Sequence, residues 1–248
     1  MKIGFIVAAV ASLFATSMAS AAEIKVLASG AAEEILAELV PQFEKSSGHK
    51  VVATFTGTAN IKKQIAAVEV YDLVIVGGLV IEAFIQQGKV VPGSRTDLMK
   101  SGVGVDVRAG APKPDIGSSD ALKKTLLAAK SIGYSTGPSG VYMLSLFERM
   151  GIADQIKPKL KQVPSGVRIG SVIVSGEAEI GFQQISELIH APGLDYVGPL
   201  PSDVQKITVF SAGIQSGAKQ PEAANALVKS LTAPAAAVVI KKHGMEPG

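Results

Sequence analysis

Short apolar runs alternate with longer amphipathic stretches along nearly the whole chain. Ile24 to Leu27 reads as a strand, Ala28 to Ala31 as a turn of small residues, and Ala32 to Leu39 as a helix with Glu33 and Glu34 in its first turn. The pattern then repeats. Lys50 to Phe55 is a strand, Thr56 to Ala59 a loop and Asn60 to Val68 a helix. Tyr71 to Val76 is a strand closed by Gly77-Gly78, and Val80 to Gln87 a helix that stops at Gly88. Lys89 to Ser101 reads as loop, Gly102 to Val107 as strand, and Asp120 to Ala129 as a helix capped by Ser118, Ser119 or Asp120. Ser131 to Tyr134 is a short strand, Ser135 to Gly140 a third small-residue loop, and Val141 to Met150 a helix. Arg168 to Ser175 is helical or mixed. Ile180 to Gln183, Leu194 to Val197 and Ile207 to Gly213 read as strands, and Pro221 to Leu231 and Ala233 to Lys242 as helices.

This alternation predicts an α/β fold with two lobes, each a mainly parallel sheet flanked by helices. Two strands serve as crossovers and hinge, around Gly102 to Arg108 and around Lys206 to Ile214. Lobe 1 is then discontinuous, residues 22–103 and 210–248, and lobe 2 is residues 104–209. Such a layout suits closure over a ligand.

Three of the turns share one chemistry. A strand that ends in small residues and opens a helix aims free backbone N–H groups at one spot, and the helix dipole makes that spot mildly positive. The candidates for contact with a small anion are Ser29, Gly30 and Ala31, then Thr56, Gly57 and Thr58, then Ser139, Gly140 and Val141. Each run also serves as a plain strand-to-helix turn. Gln184 ends a strand at the same level, and side-chain alternation allows at most one of Gln183 and Gln184 to face the cleft. Arg95 and Arg108 lie near the first crossing and Arg168 in the second lobe; their forked guanidinium groups suit carboxylates. The acids Glu33-Glu34 and Glu177-Glu179 read as solvated charges rather than a catalytic pair.

Composition narrows the function classes. The chain has 248 residues, 47% hydrophobic and 18% charged, with room for one large domain or two small ones. A net charge of +3 without a basic block, and only 5% aromatic residues, argue against nucleic acid as a partner. The chain has no cysteine, which removes disulfides, thiol catalysis and thiolate metal sites. No cofactor or metal is expected. Residues 1–21, with Lys2, an apolar run from Ile3 to Phe14 and Ala19-Ser20-Ala21, read as a signal peptide cleaved near Ala21, so a periplasmic protein is expected.

The runs IKVLASGAAEEILAELVPQFEKSSGHKVVATFTGTANIKKQI and YDLVIVGG resemble the bacterial periplasmic molybdate-binding proteins, of the type 2 periplasmic binding-protein fold. GEAEIGFQQISEL, YVGPLPSDVQKITVFSAGI and the C-terminal PEAANALVKSLTAPAAAVVIKKHGMEPG extend the resemblance over the mature chain. It implies a monomeric solute receptor that holds a small anion between its lobes and serves an ABC permease in the inner membrane. In this resemblance the family's first-loop serine falls on Ala31, with Ser29 two residues earlier, and its second-loop serine on or beside Thr58. The second-lobe helix start falls on Ser139-Gly140-Val141, and a family tyrosine falls on Gln184. A branch resembling this family is associated with aconitate isomerase activity, which requires an acid/base group that no spacing in the sequence identifies.

Overall fold

The computed structural model describes residues 21–67 and 69–248. The expected signal peptide lies outside the described residues apart from Ala21, as does the expected helix end at Val68. In chain order the strands are β1 (Glu23–Ser29), β2 (Lys50–Thr56), β3 (Leu73–Gly77), β4 (Thr96–Ser101), β5 (Val103–Arg108), β6 (Ile132–Tyr134), β7 (Leu160–Gln162), β8 (Ile180–Gln184), β9 (Leu194–Pro199), β10 (Thr208–Ile214) and β11 (Glu246–Pro247). The helices are α1 (Glu33–Ser47), α2 (Thr58–Ala66), α3 (Gly78–Gln86), α4 (Ser119–Ala128), α5 (Pro138–Arg149), α6 (Ala153–Ile156), α7 (Ile169–Val174), α8 (Ile185–Leu188), α9 (Pro221–Leu231) and α10 (Pro234–Lys242).

The strands form two sheets, ordered β11-β4-β10-β3-β1-β2 and β7-β6-β8-β5-β9. The parallel pairing expected to dominate each sheet occupies only one part of it: β1 with β2 and β3, and β6 with β7 and β8. The other half is antiparallel, built on β10 in the first sheet and β5 in the second. These two strands arrive from the opposite sheet, so no βαβ crossover fixes their direction. The chain leaves the first sheet through Gly102 alone and returns over residues 200–207.

Alternation along each strand distributes the core. On β1, Ile24, Val26 and Ala28 pack with Ile35, Leu36 and Leu39 of α1 and with Leu227 and Ile240 of α9 and α10. Leu27 points the other way, into Ile61 and Ile65 of α2 and Ile81 and Phe84 of α3. On β5, Val103, Val105 and Val107 meet Leu122 and Leu126 of α4 and Met143 and Phe147 of α5. The opposite face of the second sheet is flattened for α7: a Cβ at Gly181 would stand 2.6 Å from Ile173 Cδ1. Helices thus cover both faces of each sheet, and both cleft-side ends are left to loops.

β4 corrects the reading of Lys89 to Ser101 as loop. Leu98, Met99 and Ser101 are buried there, but the register against β10 slips between Phe210 and Ser211, leaving Leu98 unpaired. That bulge puts two buried residues side by side and erases the period-2 signal.

Candidate functional site

Parallel register brings Ser29 beside Thr56 at the ends of β1 and β2, and Tyr134 beside Phe182 near the ends of β6 and β8. The carboxyl ends of both parallel halves therefore open on one cleft, the usual ligand position in α/β sheets. The cleft holds a cavity of about 70 Å³, space for on the order of five waters. Ser29, Gly30, Thr56, Gly57 and Thr58 line it from the first sheet, and Ser135 to Ser139, Gln183 and Gln184 from the second. Phe55 and Phe210 supply apolar wall, and Glu33, Arg168 and Glu187 supply charge.

Seven of the sequence candidates meet here: Ser29, Gly30, Thr56, Gly57, Thr58, Ser139 and Gln184. Ser139 is buried and its hydroxyl lies 3.2 Å from that of Ser135. α5 begins at Pro138 after the N-cap Gly137, with no side-chain cap, so the Ser139 and Gly140 amides lack the usual side-chain acceptor.

Five candidates are elsewhere. Ala31 is buried off the cleft; its N–H donates to Ser29 Oγ at 3.4 Å, and its carbonyl accepts from Ser186 Oγ at 2.9 Å. Gly140 packs inward on the Ser135 backbone, and Val141 points outward with 64% of its surface exposed. Neither lines the cavity, because the helical turn that begins at Pro138 rotates them away. Arg95 is held by Asp97 at 3.0 Å and Glu82 at 3.7 Å. Arg108 sits at the wrong end of its strand: antiparallel pairing puts Val103 beside Gln184 and Val107 beside Ile180, and the Arg108 guanidinium donates to the Val174 carbonyl.

Gln183 and Gln184 both line the cavity, against the expectation from alternation. β8 ends at Gln184, which is already the N-cap of α8, so the strand rule no longer governs its side chain. Gln183 Oε1 accepts from the Ile169 amide at 2.8 Å, capping α7, and its Nε2 donates to Glu187 at 2.7 Å. Gln184 Nε2 donates to Thr208 Oγ1 at 3.3 Å, while its buried Oε1 has no partner. Rotating that amide by half a turn presents Nε2 at the same spot as a donor.

The charged members escaped sequence reasoning, apart from Arg168, which it named among the arginines. Arg168 precedes α7 and reaches across the cleft to Glu33 Oε2 at 2.6 Å and Glu34 Oε1 at 3.2 Å, at the start of α1. These two acids are therefore not simply solvated. Glu187, on α8, directs its carboxyl toward Gly30, where a Cβ would come within 3.1 Å of Oε1. Burial pushes the Glu187 carboxyl up to about 7, with Glu33 acting in the same direction and Arg168 and Gln183 against it. No spacing rule connects Glu187 to Gly30 or to Arg168. The one available signal was its place three residues after Gln184, within the first turn of a helix that follows a strand.

The cleft can therefore do two things. Hydroxyls, helix-start amides and one guanidinium can hold the oxygens of a small anion. A half-buried carboxyl pushed up to about 7 can exchange a proton with whatever is bound.

The model of the family described as bacterial extracellular solute-binding protein matches residues 24–246. An aconitate isomerase of Pseudomonas sp. is 38% identical over 230 residues, covering 90% of this chain and 87% of that protein. The molybdate-binding protein ModA of Azotobacter vinelandii is 29% identical, with 91% and 90% covered. The solved structure of the Azotobacter vinelandii periplasmic molybdate-binding protein superimposes with a TM-score of 0.76 at 23% identity, over 91% of this chain and 99% of that one. The same two-sheet architecture, the cleft between the sheets and the match over nearly the whole described chain lead to one conclusion: this chain belongs to the bacterial extracellular solute-binding protein family.

Proposed function

We propose that the cleft binds a small polycarboxylate in the periplasm and catalyses an allylic proton shift of the aconitate type, interconverting trans- and cis-aconitate. The observation that carries this reading is Glu187, a half-buried carboxyl at the edge of a hydroxyl-lined cavity, pushed up to about 7 by desolvation with Arg168 close enough to lower it. Similarity to the Pseudomonas aconitate isomerase over most of both chains supports it.

The chemistry needs no cofactor. Ionised Glu187 takes a proton from the substrate methylene carbon. The electron pair left behind spreads over the allylic carbons and their carboxylates, and the same carboxyl returns the proton to the former vinylic carbon. One C–H bond breaks, one forms, and the double bond moves. Arg168 neutralises a substrate carboxylate, sharing its fork with Glu33. Ser29, Thr58, Ser135 and Ser139 donate to the others. The units 22–103 with 210–248 and 104–209 act as two lobes that close around the substrate.

The test is optical. Purified protein incubated with trans-aconitate lowers its ultraviolet absorbance; a trace no steeper than the blank removes the isomerase. A second reading has its own support in the hydroxyls and uncapped α5 amides: a receptor that captures an oxyanion or small carboxylate for an ABC permease. Calorimetry with molybdate, tungstate, sulfate and several di- and tricarboxylates identifies an oxyanion receptor by heat from an oxyanion, and a carboxylate receptor is told from the isomerase by binding trans-aconitate without turnover.

A further inference from the structure

Helix α2 has no cap of its own. Its N-cap is Gly57, in extended conformation, and no side chain from its own turn accepts from the first amides. A serine, threonine, aspartate or asparagine at that place would normally do so, bonding the N–H two or three residues on. The missing acceptor comes from the other sheet. The Asn60 N–H donates to Ser165 Oγ at 3.2 Å, and Asn60 Nδ2 donates to the Ser165 carbonyl at 3.0 Å and to Thr56 Oγ1 at 2.9 Å. Ser165 lies on the loop between β7 and α7.

Both backbones are shaped for this contact. A Cβ at Gly57 would collide with Ser165 Oγ and stand 2.5 Å from the Gly166 nitrogen. Gly166 has φ +87°, a conformation that side chains rarely adopt, and a Cβ there would stand 3.0 Å from Thr56 Oγ1. Three residues after Ser165, Arg168 makes its pair with Glu33 and Glu34. The run from Pro164 to Arg168 is thus fastened to the starts of both α2 and α1.

We infer that Ser165 is a positioning residue, a helix cap supplied across the cleft that fixes Thr56, Gly57 and Thr58 when the two halves are together. Gly57 is glycine because a self-capping residue there would exclude Ser165. The inference does not depend on which anion the cleft takes.

The experiment uses ligand-free protein, so its outcome is independent of the isomerase reading. Amide hydrogen exchange is followed residue by residue by NMR. In S165A the Asn60 amide exchanges about fivefold faster while amides in the centres of both sheets keep their rates. S165T, which keeps a hydroxyl, restores Asn60. G57A, which blocks docking from the other side, speeds exchange at Asn60 as S165A does. An unchanged Asn60 rate in S165A overturns the inference, and so does an equal acceleration of Asn60 and the sheet centres.

Discussion

In the proposed isomerisation Glu187 is the base, and a base for carbon serves best when its pKa lies near the working pH. Its carboxyl is raised to about 7 by burial, so the basic form accumulates as pH rises through 7. The pH profile of kcat/KM for trans-aconitate therefore rises through that region, and a profile flat from pH 5 to 9 contradicts the role. In the same proposal Arg168 serves binding rather than proton transfer. Removing a charged hydrogen bond costs about 1.5–3 kcal/mol, so R168Q raises the calorimetric Kd for the polycarboxylate by roughly 10–100-fold. A second buried acid acts on the fold alone. Asp106 in β5 is fully buried with both oxygens unpartnered, and burial, then Asp195, push it up to about 7 against the pull of Lys113. Its pKa is raised in the folded state, so its stabilising effect is complete below about pH 4 and lost as pH rises through 7. Urea titrations of D106N against the parent check this. The variant gains relative stability between pH 4 and 7, on the order of 4 kcal/mol in total, and a pH-independent difference contradicts it.

At the level of elements, the sequence was readable wherever one period ran uninterrupted. β1, β2 and β3 followed by α1, α2 and α3 were legible because apolar runs, glycine stops and amphipathic stretches agreed. β4 was not, because the unpaired Leu98 at its bulge breaks the alternation. β7 and β11 were not, because LKQ and EP carry no apolar pattern at the sheet edges. α7 depends on glycine beneath it, a relation between distant residues. G181V forces a branched side chain into Ile169 and Ile173, and such overpacking costs about 1–3 kcal/mol. Urea denaturation of G181V measures that loss. L98A removes a fully buried side chain from β4 and lowers stability by about 2–5 kcal/mol in the same assay.

Across the whole molecule, the cleft forms because the carboxyl ends of two half-parallel sheets face each other. The sequence supplied the loops that contribute from each side, since strand, small-residue turn and helix are local features. Six of the nine loop residues so chosen line one cavity. What local reading could not supply was depth and pairing. Arg168 meets Glu33, Glu187 approaches Gly30 and Ser186 bonds Ala31 only after the sheets come together. Those contacts add one cation, Arg168, and two carboxyls, Glu33 and Glu187, to a ring of neutral donors. The most direct measurement is the turnover of trans-aconitate by the parent protein and by E187Q, with calorimetric binding of the same compound to each. The parent turns over; E187Q binds with similar affinity but loses about 10²–10⁴-fold in rate. Turnover by E187Q at the parent rate would contradict the assignment of Glu187 as the base.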